Sequence, residues 1–183
     1  TDSTNLWGKR AWREEGAGHG ELFVAEYQSA GRGRFTRRWS APPDSAITMS
    51  ILICPKFSPQ KAPMLTLVMG LSVAQAVAEI GLDVGIKWPN DVVVSRKKIC
   101  GILTEMTMKQ DKIGCAVIGV GINVNMKSFP EEMADKATSL YLESGHPFDR
   151  AQVVGLVMKH FEENYERFVQ TEDLSGLKPD YEK

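Results

Sequence analysis

The sequence predicts an α+β domain: a mixed, largely antiparallel sheet with helices packed on one face. Three observations carry this. Apolar, strand-like runs at 46–54, 83–94, 99–108 and 112–124 follow one another across short polar turns. One long apolar stretch, 63–80, lies among them, opened by Pro63 and followed by Gly81, as a buried helix would be. An amphipathic run then follows, with Val153, Val154, Val157, Met158, Phe161, Tyr165 and Phe168 at helical spacing.

Taken in order, Ser3 and Thr4 open a short amphipathic helix that stops near Gly16. Its two tryptophans, Trp7 and Trp12, are five apart and read as packing residues. Residues 21–28 (ELFVAEYQ) read as a strand, and 30–40 (AGRGRFTRRWS) as a loop, since it has neither helical nor strand period. The strand at 46–54 leads through Pro55, Pro59 and Pro63 into the buried helix. The run 83–94 is strand, turn and strand, broken at Pro89 and Asn90, and 95–98 is a polar hairpin tip. A turn at Gln110–Asp111 joins the strands at 99–108 and 112–124. Polar 125–137 reads as an irregular loop, 138–145 as a short helix, and Asp149 as the cap of the last helix.

With 183 residues, 43% of them apolar, the chain suits one domain over 1–183 with a sizeable core. The net charge of −1 excludes a polycation built for nucleic acid, so the arginines at 32–38 are a local feature of a neutral protein. Cys54, Cys100 and Cys115 are odd in number and lack metal or redox spacing; they read as free thiols of a reducing, cytoplasmic environment. The histidines are scattered and suggest no zinc site. Neither a signal peptide nor an unbroken apolar run of bilayer length is seen, so no membrane contact is expected. The chain opens on TDSTN without a methionine and closes on LKPDYEK, which reads as a piece trimmed from something longer.

Three motifs bear on chemistry. GVGINV (119–124) resembles a dinucleotide fingerprint, but Val124 stands where the third glycine is required, and there is no P-loop. GRGR (31–34) offers backbone N–H groups and guanidiniums to an anion, with Trp39 as a flat face for a base; a solvated basic loop or an Arg-Gly segment for single-stranded nucleic acid has the same composition. In KWPND (87–91), Lys87, Asn90 and Asp91 meet at a turn that suits metal or ribose contacts, or simply closes as an Asx turn. Lys98 by itself reads as a hairpin-tip charge.

Together, DSTN (2–5), YQSAGRGRFTRRW (27–39), KWPNDV (87–92), KKICGILTE (97–105) and IGVGINVN (118–125) closely resemble the catalytic domain of the biotin protein ligases, in order and spacing. The resemblance implies the class II aminoacyl-tRNA synthetase-like fold of the biotin and lipoate ligases. It also implies the chemistry: biotin and ATP, with Mg²⁺, give biotinoyl-5′-AMP and pyrophosphate, and biotin then passes to a lysine of a biotin carboxyl carrier protein. Lys98 and Arg34 are the implied catalytic residues. Ser3, Thr4, Asn5, Gln28, Gly31, Arg32, Gly33, Arg34, Lys98, Gly101 and Ile102 are implied to bind biotin. Arg34, Arg37, Trp39, Asn90 and Asn123 are implied to bind ATP or the adenylate, with Asp91 holding Mg²⁺ directly or through water. A homodimer is compatible with the family, and nucleic acid would be met only through an N-terminal winged-helix domain; a C-terminal β-barrel is also usual. The alternatives are a lipoate or octanoate ligase, or a regulatory module that binds biotinoyl-AMP without turnover.

Overall fold

The computed structural model describes residues 1–35 and 37–182; Thr36, inside the arginine segment, and Lys183 lie outside it. Strands β1 (Glu21–Ala25), β2 (Ala46–Ile53), β3 (Val84–Lys87), β4 (Asp91–Val94), β5 (Lys97–Lys109) and β6 (Lys112–Asn123) form one six-stranded sheet in the order β1-β2-β6-β5-β4-β3. Every strand pairing is antiparallel. The α+β expectation holds, and parallel character among the described residues is confined to an isolated bridge between Lys98 and Ala137.

Strand alternation builds two layers on this sheet. Ile47, Met49, Ile51 and Ile53 of β2 enter the main core, where α2 (Met64–Glu79) and α5 (Arg150–Thr171) cover the sheet. Helix α2 contributes Val68, Met69 and Val73 to this core, and α5 contributes Val157, Phe161 and Phe168. Burial on several sides accounts for the composition of α2, whose segment Pro59–Glu79 is apolar and long enough, by those measures alone, to cross a bilayer. Helix α5 faces solvent on its far side and begins at Asp149, whose carboxylate accepts from the N–H groups of Ala151 and Gln152. Between the helices, buried Asn164 donates to Ser72 and Gln75.

The N-terminal helix α1 (Thr4–Arg10) packs on the opposite face, then widens into a single π turn, Ala11–Glu15, that stops at left-handed Gly16 (φ 76°). Ala11, Phe23, Leu52, Cys115 and Val117 form a small second core there. Trp7 meets Phe23 edge-on at 5.2 Å. Trp12 covers Gly114, where an added Cβ would lie 2.7 Å from the indole. The two long helices thus occupy one face, as expected. Short α1 covers only part of the other and leaves the remainder for a site.

Three local differences from the sequence reading stand out. Strand β1 stops at Ala25, and the next residue, Glu26, meets the Arg150 guanidinium at 2.8 Å. The hairpin tip is only Ser95–Arg96, both left-handed (φ 50° and 66°), so β4 and β5 pair at once and Lys97 and Lys98 already belong to β5. The loop 125–137 contains one helical turn, α3 (Glu131–Ala134). Its end docks beside β5: the Lys98 N–H donates to the Lys136 carbonyl at 2.9 Å, and the Thr138 N–H to the Lys98 carbonyl at 3.0 Å. Two short helices, α4 (Leu140–Ser144) and α6 (Lys178–Tyr181), complete the chain. Cys54, Cys100 and Cys115 are free, as the sequence suggests.

Phe168 is fully buried and meets Phe57 edge-on at 5.4 Å. Phe168→Ala is therefore expected to cost about 3–5 kcal/mol. Urea unfolding should show the midpoint falling with the slope unchanged; a shift below about 1 kcal/mol would mean that α5 does not hold this core.

Candidate functional site

The open part of the α1 face is floored by glycine. Gly101 of β5 pairs with Gly121 of β6, and Leu103 with Gly119. Positions 119 and 121 are two apart in one strand and so share a face. Each bare position accommodates another side chain. A Cβ on Gly119 would lie 2.2 Å from Asn5 Oδ1, one on Gly121 2.3 Å from the Trp39 indole, and one on Gly101 3.1 Å from Lys98 Nζ. GVGINV is thus a sheet floor rather than a nucleotide fingerprint.

Above this floor lies a cavity of about 60 Å³. It brings together twelve of the residues singled out in the sequence: Ser3, Thr4, Asn5, Gln28, Arg32, Gly33, Arg34, Trp39, Asn90, Lys98, Gly101 and Ile102. Its wall also includes Leu103, Gly119, Val120 and Gly121, which lie inside the motifs but had no role assigned, and Met49, which lies in none. Alternation along β5 and β6 groups Leu103, Gly119 and Gly121 with Gly101 on one face, whereas Met49 and Val120 pair with each other and also belong to the main core. The volume is far below the roughly 300–1,000 Å³ of a drug-sized ligand pocket, and the Trp39 ring on Gly121 is one reason. Its buried Nε1–H has no acceptor among the described residues. Such a donor costs about 1–3 kcal/mol, which a ligand acceptor or a shift of the ring would recover.

One end of the cavity is polar. Ser3, Thr4 and Asn5 are nearly fully buried at the start of α1. The Asn5 amide is held on all sides: Nδ2 donates to the Leu103 carbonyl (3.2 Å) and Glu105 Oε2 (2.9 Å), and Oδ1 accepts from the Ser50 hydroxyl (2.6 Å). Asn5 is therefore a brace that reaches the wall. Ser50 has a single proton, and Asn5 takes it. The Thr4 hydroxyl, 2.7 Å from Ser50 Oγ and 3.1 Å from Gln28 Oε1, must then give its own proton to one of those two. Thr4 consequently meets the cavity as an acceptor. Gln28 Oε1 is taken by the Thr4 N–H at 2.7 Å, which leaves the Gln28 amide nitrogen to donate. Among the described residues the Ser3 hydroxyl has no partner.

Cations dominate the other end. Lys98 Nζ lies 2.6 Å from Asp91 Oδ1, which also accepts from Asn90 Nδ2 at 3.2 Å. The loop 31–39 is closed by N–H bonds from Trp39 to the Gly31 carbonyl and from Gly33 to the Arg37 carbonyl. Among its arginines, Arg32 pairs with Glu105 at 3.1 Å, whereas Arg34, Arg37 and Arg38 form no ion pair among the described residues. The Arg34 guanidinium rests on the Phe35 ring at 4.6 Å. Burial alone would raise the pKa of Glu105, but hydrogen bonds from Lys9 and Asn5 and the charges of Lys9 and Arg32 prevail and hold it below the usual carboxylate value.

Four further residues, Gly31, Arg37, Asn123 and Asp91, lie outside the cavity wall. Gly31 is a buried knuckle, where a Cβ would strike the Trp39 carbonyl at 2.3 Å. Exposed Arg37 contributes its carbonyl to the loop closure. Asn123, almost fully buried, braces the strap after β6 by donating to the Thr138 carbonyl at 3.0 Å. Asp91 stands at the cationic end without a second carboxylate, and no group of three metal-ligating side chains exists among the described residues. That donor set fits a Mg²⁺ that arrives with phosphate oxygens and water rather than a resident ion.

A small cavity thus combines a donor-and-acceptor end, a bare sheet floor and a cationic end. The chain belongs to the biotin/lipoate A/B protein ligase family, whose profile matches residues 1–123. It is 43% identical over 156 residues to the bifunctional ligase/repressor BirA of Bacillus spizizenii, covering 84% of this chain and 48% of that protein. With the biotin–[acetyl-CoA-carboxylase] ligase of Mycobacterium tuberculosis it shares 34% identity over 148 residues, 78% of this chain and 53% of that one. The biotin protein ligase of Aquifex aeolicus, solved with biotin and ATP, superposes with a TM-score of 0.76 at 37% identity, over 92% of this chain and 68% of that one. The chain spans about half the length of the curated relatives it matches.

Gly121→Ala would place a methyl group against the Trp39 indole. The variant should shift tryptophan emission from that of the parent, and the difference should vanish in a Trp39→Phe background. Superimposable spectra would show that the ring does not rest on this glycine.

Proposed function

We propose that this domain activates biotin with ATP and transfers it to a lysine of a biotin carboxyl carrier protein in the cytoplasm. The observation that supports this most is the polarity of the Ser3–Thr4–Gln28 end. Thr4 presents an acceptor, while Ser3 and Gln28 can donate. A ureido group has both N–H donors and a carbonyl acceptor and matches this set; the dithiolane of lipoate has neither and would leave those groups unpaired. The apolar wall of Met49, Ile102, Leu103 and Val120 suits fused rings, and the glycine floor lets them lie flat.

In this reading the carboxylate of biotin points at Lys98. One carboxylate oxygen attacks the α-phosphorus of ATP, the bond to the bridging oxygen breaks, and pyrophosphate leaves. The acceptor amine then attacks the acyl carbon and expels AMP. Two anions must meet, so Lys98 and the arginines without protein partners supply the opposing charge, with Mg²⁺ entering on the nucleotide. Asp91, whose carboxylate also accepts from Asn90, holds the Lys98 ammonium at the cavity wall. Most of the acceleration then comes from placement, with no protein nucleophile required. Arg34 stands where it can retain the adenylate through charge-assisted contacts.

The direct test is pyrophosphate release by the domain with Mg-ATP and either biotin or lipoic acid. Release with biotin alone is expected; release with lipoic acid alone would transfer the assignment to the other branch of the family. Lys98→Ala should lower the rate of adenylation by ~10²–10³ and weaken biotin binding much less. Normal turnover by this variant would reduce Lys98 to a strand-end charge.

A further inference from the structure

We propose that Glu105 is a positioning residue of this site, pinning Arg32 and the Asn5 amide so that the polar end is set before the acid arrives; the inference rests on the biotin-ligase reading above. Glu105 does not line the cavity. It stands one turn of alternation beyond Leu103 on β5, opposite Val117, with its side chain 16% exposed. Its carboxylate gathers three groups from two other segments. Lys9 Nζ reaches Oε1 at 2.8 Å, Asn5 Nδ2 reaches Oε2 at 2.9 Å, and Arg32 Nη1 lies within 3.1 Å of Oε1.

Each contact has a different consequence. Through Asn5, Glu105 fixes which end of the amide faces Ser50, and so which proton is left to Thr4. An amide turned over would present N–H groups to Ser50, and Thr4 would no longer be bound to act as an acceptor. Through Arg32, it anchors the arginine loop to β5. This is the one arginine of the loop that forms an ion pair among the described residues. Pairing it sorts the loop: Arg32 becomes a fixed peg in the cavity wall, while Arg34, Arg37 and Arg38 keep their charge for an anion. Lys9 supplies the second positive charge that keeps a largely desolvated carboxylate ionised.

This account places the effect on the acid rather than the nucleotide. Glu105→Gln preserves size and can still accept from Asn5, but it removes the charge that holds Arg32. Calorimetry should show the Kd for biotin rising ~10-fold, with the Kd for Mg-ATP within about twofold of the parent. The deciding readout is a double-mutant cycle with Arg32→Met. If Glu105 acts through Arg32, Glu105→Gln added to Arg32→Met should change the biotin Kd by less than about twofold. An equal loss in both backgrounds would make Glu105 a general structural support and overturn the proposal. Should thermal melting show Glu105→Gln to be poorly folded, Glu105→Asp, which withdraws the carboxylate by one methylene, enters the same cycle with the same expectation. Unchanged biotin affinity in a parent that binds biotin overturns only the Glu105 assignment; no binding by the parent overturns the biotin reading with it.

Discussion

The site depends on three backbone positions that carry no side chain. Gly101, Gly119 and Gly121 lie side by side on one face of the two longest strands, and each is already overlain by another residue's atoms. Any Cβ at 119 or 121 would come within 2.3 Å of Asn5 or Trp39. The same side of the sheet carries Phe23, Leu52, Cys115 and Val117 as a small core, and side chains at the three glycines would fill the space beside it. Removing the side chains from three neighbouring places instead creates a flat shelf. Helix α1 reaches one end of it, the arginine loop closes over the middle, and Lys98 enters from the edge.

The electrostatics follow from that layout. The domain is nearly neutral overall, yet it concentrates cations along one rim. Arginines are costly to hold together, and the protein resolves this unevenly. Arg32 is neutralised by Glu105, and Lys98 is steadied by Asp91. The guanidiniums of Arg34, Arg37 and Arg38 have no carboxylate among the described residues, so their mutual repulsion is relieved when an anion joins them.

Much of this was legible in the chain. The apolar period separated α2 from α5, and the strand pairs with their turns implied an antiparallel sheet. The motifs named most of the cavity wall. The sequence was mute where an element is defined by a distant partner. Glu26, just past β1, pairs with Arg150, 124 positions away, and the loop before α4 gains order by pairing with Lys98. Asn123 sits within a strong motif, yet its amide serves Thr138, since the strap after β6 folds back over it. Ser50 lies in no motif, and Glu105, the last residue of KKICGILTE, drew no role from it. They matter because β2 and β5 present them on the same face as Asn5, a relation visible only once the register is known.

The central claim is that this shelf joins the carboxylate of an organic acid to the α-phosphorus of a nucleotide. Following one oxygen tests it most directly. Biotin labelled with ¹⁸O in its carboxylate would be turned over with Mg-ATP and an acceptor domain, and the released AMP analysed by mass spectrometry. Attack at the α-phosphorus predicts that each AMP carries one oxygen from the acid. Unlabelled AMP with the label in inorganic phosphate or pyrophosphate would mean that the acid attacks elsewhere, and would contradict the account.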